Sequence, residues 1–274
     1  MNDLSLSSAK TARFARASGS DRSLFGGPRL GLWFIIALLT LWELSARTGL
    51  VASTNWPPVS AILIATYRDL GEGELARALG GTLYRMAAGF TLGAVAAVAL
   101  GIWLSMSQLA RRTLEPTIEL LRPLPIPAII PPLILFLGLD DAMKITVVAF
   151  TVFFPVFVNT LHGALAIEPT YRAVAATFGT STLDTLGSVL VPATLPYVFA
   201  GLRISLALAF VSVVAAEMVA GDSGIGYYII SMQYAGRGAD MFAALFLVGL
   251  SGYLINRAFV AFERRTLFWH TQSQ

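Results

Sequence analysis

Long apolar runs, separated by short polar stretches, set the first expectation for this chain. Residues 86–110 carry no charged side chain, and residues 145–167 carry none, with His162 counted as neutral. Between residues 30 and 50 only Glu43 and Arg47 are charged, both near one end, and between 185 and 216 only Arg203 is. Residues 123–139 are uncharged but short, and residues 241–256 are uncharged and continue apolar past Arg257. A helix that crosses the hydrocarbon core needs about 20 mostly apolar residues. The pattern therefore predicts six spans, at 30–48, 84–106, 118–138, 145–165, 196–216 and 240–262.

Composition supports the membrane reading. Of 274 residues 56% are hydrophobic and 13% charged, about half the charge density of an ordinary soluble domain. With no cysteine the chain holds neither a disulfide frame nor a thiolate metal or redox site. The net charge of +3 is spread along the chain, whereas nucleic-acid binding needs a clustered basic face.

Lys and Arg placement orients the spans. With both termini inside, the inner segments hold eleven basic residues (Lys10, Arg13, Arg16, Arg22, Arg29, Arg111, Arg112, Arg122, Arg172, Arg264, Arg265). The outer segments hold five (Arg47, Arg68, Arg77, Lys144, Arg237), with Arg85, Arg203 and Arg257 at boundaries. The expectation is N-in and C-in, with a cytoplasmic tail at 1–29, a transmembrane domain at 30–265, and a second tail at 266–274. The first outer loop, 49–82, contains the turn signal "NWPP". It also contains an amphipathic segment with Arg68, Asp69, Glu72, Glu74 and Arg77, expected at the interface.

Within the spans, "GFTLGAVAAVALG" (Gly89 to Gly101) reads as a packing face, because small residues let helix backbones approach closely in lipid. "RPLPIPAIIPPLILFLGLDD" begins with Pro123, Pro125, Pro127, Pro131 and Pro132. Each proline removes a donor and crowds the preceding turn, so this span is expected to be kinked or unwound. Two readings stand side by side, a pathway or gating element and a purely structural kink. Arg203, near the inner end of span five, and Glu217, at its outer end, are further candidates for the pathway or its gate, since intramembrane ionisable residues are functional candidates by default.

The string "AGDSGIGY" contains a GDSG like that around a serine nucleophile. Catalysis would need a histidine base placed by a carboxylate, and both histidines, His162 and His270, are predicted on the side opposite Ser223. The glycines are read instead as shaping a tight outer loop. The chain lacks a phosphate loop, and no His/Asp/Glu cluster has metal-ligand spacing. No catalytic residue, metal or resident cofactor is expected.

A soft, small-residue-rich interruption, "AVAATFGTSTLDTLGSVLVPATLP" (173–196), lies between spans four and five on the predicted cytoplasmic side. It resembles the EAA loop of ABC importer permeases. Gly179 matches that motif's glycine, and Pro192, thirteen residues later, matches its proline. Val189 and Val191 occupy the aliphatic positions, and Ala175 matches the last alanine. The departures are Ala173, where Glu is usual, and Val174, where Ala is usual. A salt bridge from that Glu to an ATPase is not carried over, but the helix–glycine–helix shape is. With "TLYRMAAGFTLG", "FFPVFVNTLHGAL", "LPYVFAGLRISLALAF", "AEMVAGDSGIGYYI" and "ERRTLFW", the resemblance covers roughly residues 30–270 and points to the nitrate/sulfonate/taurine group of type I importer permeases.

That resemblance implies an all-α fold and a set of partners. They are a second permease copy, two cytoplasmic ATPase subunits that bind ATP and magnesium, and a periplasmic binding protein that delivers a small anion, all at a bacterial inner membrane. The loop at about 166–195 would carry a coupling helix that docks on the ATPase. Tyr171, Ala175 and Phe178 fall at helical spacing on its contact face. Gly179 would end that helix in a left-handed cap, Thr180 or Ser181 would cap the next one, and Pro192 would stop it. The rival reading is a secondary transporter or channel that works without an ATPase.

Overall fold

The computed structural model describes residues 28–51, 56–167, 177 and 179–268. The chain divides into two units, residues 1–61 and 62–274, each described by itself.

In the first unit the leading apolar run forms α1 (Pro28–Arg47). None of Leu30–Arg47 is buried within the chain, as suits a helix whose side chains face lipid. Near its end two charges neutralise each other one turn apart, Arg47 Nε donating to Glu43 Oε1 at 2.6 Å. In its last two turns, Trp42 stacks on Trp56 with ring centroids 4.9 Å apart, and the Trp42 indole donates to the Pro57 carbonyl at 3.1 Å. α2 (Val59–Gly71) begins at the end of this unit and lies mostly in the second.

The second unit contains α3 (Glu74–Met106), α4 (Gln108–Leu121), α5 (Ile126–Leu137) and α6 (Asp141–Leu165). After the loop come α7 (Thr182–Thr185), a π-helical turn (Leu186–Leu190), α8 (Val191–Ala220), α9 (Ile225–Tyr234) and α10 (Gly238–Thr266). α3, α6, α8 preceded by its π turn, and α10 are each long and apolar enough to cross a membrane, and α4 with α5 forms one further, bent crossing. Together with α1 this makes six, in the expected order.

The small-residue face of α3 is the main packing seam. A Cβ on Gly89 would lie 2.6 Å from the Ile145 carbonyl oxygen, one on Gly93 2.4 Å from that of Ala149, and one on Gly101 3.0 Å from the Thr160 side chain. Both numberings rise together, so α3 and α6 run parallel in near backbone contact. In lipid no hydrophobic drive separates helix from solvent, and such close approach supplies the dispersion energy that holds helices together. α8 runs antiparallel to α6. Gly201 abuts the Pro155 carbonyl oxygen, Gly163 abuts the Tyr197 ring, and Ser205 Oγ donates to the Val152 carbonyl at 3.2 Å. α10 returns antiparallel to α8, with Phe199 facing Phe259 and Phe262.

Three local expectations change. The second span was expected from residue 84, but its helix begins at Glu74, so Glu74 and Arg77 of the polar segment belong to it, whereas Arg68 and Asp69 lie on α2. Asp69 in that segment is buried, because the Tyr228 hydroxyl and the neighbouring Arg68 meet it. Pro192 does not stop a helix. It lies in the first turn of α8, where its missing N–H costs nothing. The widened π turn before it, closed by Val191 N donating to the Leu186 carbonyl, makes room for the ring.

Candidate functional site

At the end of the bundle where α8 finishes, Glu217 is 1% exposed and fully engaged. Thr82 Oγ1 of α3 lies 2.9 and 2.8 Å from its two carboxylate oxygens. Arg85 Nη1, also on α3, donates to Glu217 Oε1 at 2.7 Å, and the backbone N–H of Gly226 donates to Oε2 at 3.0 Å. The turn after α8 wraps this carboxylate. Gly224 has φ +102°, and a Cβ there would lie 2.2 Å from the Glu217 carboxylate. The glycines of "AGDSGIGY" thus serve a backbone that must touch a side chain.

Arg85 joins three elements. Besides Glu217 it donates through Nε to Asp141 Oδ1, at the start of α6, at 2.6 Å, and through Nη2 to Ser223 Oγ at 2.6 Å. Beside it Lys144 of α6, with no exposed surface, donates to Asp222 Oδ1 at 2.7 Å. The bonds from Lys144 and from Ser223 lower the Asp222 pKa to about 2. Ser223 is therefore held between Arg85 and Asp222. His162 lies near the far end of α6, so no described histidine reaches this serine, and His270 lies outside the described residues.

A second clasp sits at the same end. Arg68 and Arg237 both pair with Asp240, at the start of α10, and Arg68 also pairs with Asp69 at 2.8 Å. Burial pushes the Asp69 carboxyl up, but the hydrogen bond from the Tyr228 hydroxyl at 2.6 Å and the pairing with Arg68 prevail and lower it. Buried ions are stable only when their remaining hydrogen-bonding capacity is met. The sequence singled out Glu217 alone, and Arg85, Lys144 and Thr82 were missed as its surroundings. The available signal was two basic residues inside otherwise apolar helices.

Arg203 takes no part here. It pairs with Glu263 toward the other end of the bundle, tying α8 to α10.

The proline-rich span is broken rather than gently kinked. α4 and α5 meet at 102° across residues 122–125. Pro123 and Pro125 lie in the break, Pro127 occupies the first turn of α5, and Pro131 and Pro132 lie inside it. Ile130 is the one buried residue of the two helices, while Leu135 and Phe136 are strongly exposed. Because α3 and α6 are parallel, the pair must carry the chain back from one end to the other. α5 alone, at about 18 Å, is too short for the hydrocarbon core.

In the loop between α6 and α8, Gly179 has φ +64° with open space around it. Ser181 caps α7, its Oγ accepting from the Asp184 N–H at 3.1 Å and donating to Asp184 Oδ2 at 2.6 Å. Thr180 precedes this cap with its hydroxyl 3.0 Å from that of Thr185. Tyr171, Ala173, Ala175 and Phe178 lie outside the described residues.

Comparison with known proteins matches residues 89–268 to a family described as "Binding-protein-dependent transport system inner membrane component". The chain is 32% identical over 241 residues to the putative aliphatic sulfonates transport permease protein SsuC of Bacillus subtilis (strain 168), covering 87% of each. It is 34% identical over 227 residues to the nitrate import permease protein NrtB of Leptolyngbya laminosa, covering 80% of each. Its fold resembles a chain of the MetNI methionine ABC transporter in an inward-facing conformation, with TM-score 0.61 and 20% identity over 70% of this chain and 95% of that one.

Proposed function

The chain belongs to the family of binding-protein-dependent transport system inner membrane components and is a permease subunit of an ABC importer, and on that premise we propose how it does its work. It forms, with a second copy of itself, the bilayer pathway for a small oxyanion of the sulfonate or nitrate class. A periplasmic binding protein delivers the anion, and two ATPase subunits drive the cycle from the cytoplasm. The cargo class rests on the names of the relatives, aliphatic sulfonates for one and nitrate for another.

One observation carries the coupling part. From the capped start of α7 the chain is helical without interruption through the π turn to the end of α8, where Glu217 sits. A push on the loop near Gly179 and Ser181 is delivered along a helical run of about 54 Å to the Arg85–Glu217–Asp141 cluster. Moving α8 against α3 and α6 must separate those charges or carry them as a block. A buried pair cannot stretch gradually without leaving an unpaired charge, so this end favours two discrete arrangements over a continuum. ATPase closure selects between them only because the ATPase binds the two unequally.

The broken span supports a place beside the pathway or the second copy. Its backbone break is exposed on the single chain, and free backbone groups at membrane depth are tolerated only against protein or water.

The test is reconstitution in vesicles with candidate ATPase and binding-protein subunits. The reading expects uptake of an alkanesulfonate or nitrate that stops when ATP or the ATPase is omitted. Uptake by the permease alone, driven by an ion gradient, would overturn it in favour of a secondary transporter.

A further inference from the structure

The geometry points to a binding site for one anionic phospholipid in a groove that runs along α10 and is walled by α8 at its apolar end, in the leaflet that holds the C-terminal end of α10. Two hollows meet there. One, of about 280 Å³, is lined by apolar side chains that include Leu206, Phe210 and Val248, and by Gly249 and Gly252, whose missing side chains leave the trough. The other, of about 580 Å³, is lined by Arg257, Arg264 and Arg265. Tyr253 and Asn256 line both, so the hollows adjoin along α10.

The depth matches a lipid. α10 has 29 residues, about 43 Å, the thickness of a whole bilayer with its headgroups. Gly249 and Gly252 fall near its middle and Arg264 and Arg265 near its end. The groove therefore runs about 24 Å from the midplane to the headgroup level, the span of one leaflet.

The charge is unspent. No carboxylate among the described residues pairs with Arg257, Arg264 or Arg265, and the nearby Glu263 is taken by Arg203. Arg257 Nη1 donates to the Tyr253 hydroxyl at 3.1 Å, which steadies one guanidinium at the junction of the hollows. An acidic protein surface would meet the outer arginines but leave the apolar trough unfilled. An amphiphile with an anionic head and an acyl chain fills both, and basic pockets of this kind are suited to anionic headgroups.

The experiment uses the full chain in nanodiscs and detergent, with native mass spectrometry and melting as readouts. The probes are phosphatidylglycerol, phosphatidylcholine with the same chains, and glycerol phosphate. Phosphatidylglycerol is expected to be retained and to raise the melting temperature, and phosphatidylcholine to do neither. Combined Arg257→Gln, Arg264→Gln and Arg265→Gln should weaken retention about a hundredfold, and the three Lys replacements should recover most of it. Gly249→Leu should also weaken retention with the arginines intact, because its Cβ meets nothing within 4 Å and the side chain fills the trough without disturbing the fold. Equal retention of phosphatidylcholine, full retention by the Gln variant, or equal binding of glycerol phosphate alone would each refute the site. So would a Gln variant that keeps the lipid but loses an ATPase subunit, since the arginines would then serve a protein.

Discussion

The guanidinium of Arg85 bonds the carboxylate of Glu217 at 2.7 Å across a sequence separation of 132 residues, with both side chains buried. This contact joins the second span to the fifth, and Asp141 brings in the fourth. Removing one member strands the other charge, at a cost of about 3–5 kcal/mol. Arg85→Ala and Glu217→Ala are each expected to destabilise the chain by that much in SDS unfolding. The double variant should fall short of their sum by at least about 1 kcal/mol. Additive losses would show that the two residues act separately.

Glycines on the α3 seam should be far less replaceable than glycines of the same helix that face open space. Gly93→Ala brings a methyl to 2.4 Å from a backbone oxygen of α6, whereas Gly80→Ala meets nothing within 4 Å. Overpacking costs about 1–3 kcal/mol. A melting temperature lowered in the first variant and unchanged or raised in the second is expected. Equal effects would remove the seam from the account of the fold.

Gly179→Val places a β-branched residue at φ +64° with no neighbour to clash. Its strain is local to the loop, so insertion and melting should change little while ATP-driven uptake falls at least about tenfold. Uptake at the normal rate would be incompatible with the loop as the point of coupling.

Cysteines placed at Ser181 and Ser223 should react with a membrane-impermeant maleimide from opposite faces of sealed vesicles. Those residues lie at opposite ends of the helical run through α8, and the chain has no other cysteine to interfere. Labelling of both from one face would refute the N-in, C-in orientation.

The Asp222–Lys144 bond should be robust to mild acid. Its carboxyl is lowered to about 2 in the folded chain from about 4 when unfolded. A lowered folded value means the contribution is whole above about pH 4 and is lost as pH falls through about 2. The melting difference between the native chain and Asp222→Asn should hold from pH 7 down to about 4 and shrink below that. A difference that disappears already between pH 7 and 5 would assign the effect to another group.

Much of this was readable along the chain. Hydrocarbon thickness imposes a length, so uncharged runs located the six spans, although the second span's helix begins ten residues before its expected start, and the four-residue spacing of Gly89, Gly93, Ala97 and Gly101 marked a packing face in advance. The turn at Gly179 and the cap at Ser181 were legible because both are local chemistry. What only the tertiary structure decided is where charge goes. Arg85 looked like a boundary charge, Lys144 like an outer-loop charge and Asp69 like an interfacial carboxylate, because whether an ion is buried depends on partners that other helices deliver. The prolines signalled a break, but its 102° bend depends on what α3 and α6, packed in parallel, require of the chain between them. Pro192 failed as a stop for the same reason: a local preference against helix yielded to a widened turn that carries the helix on from α7 into α8.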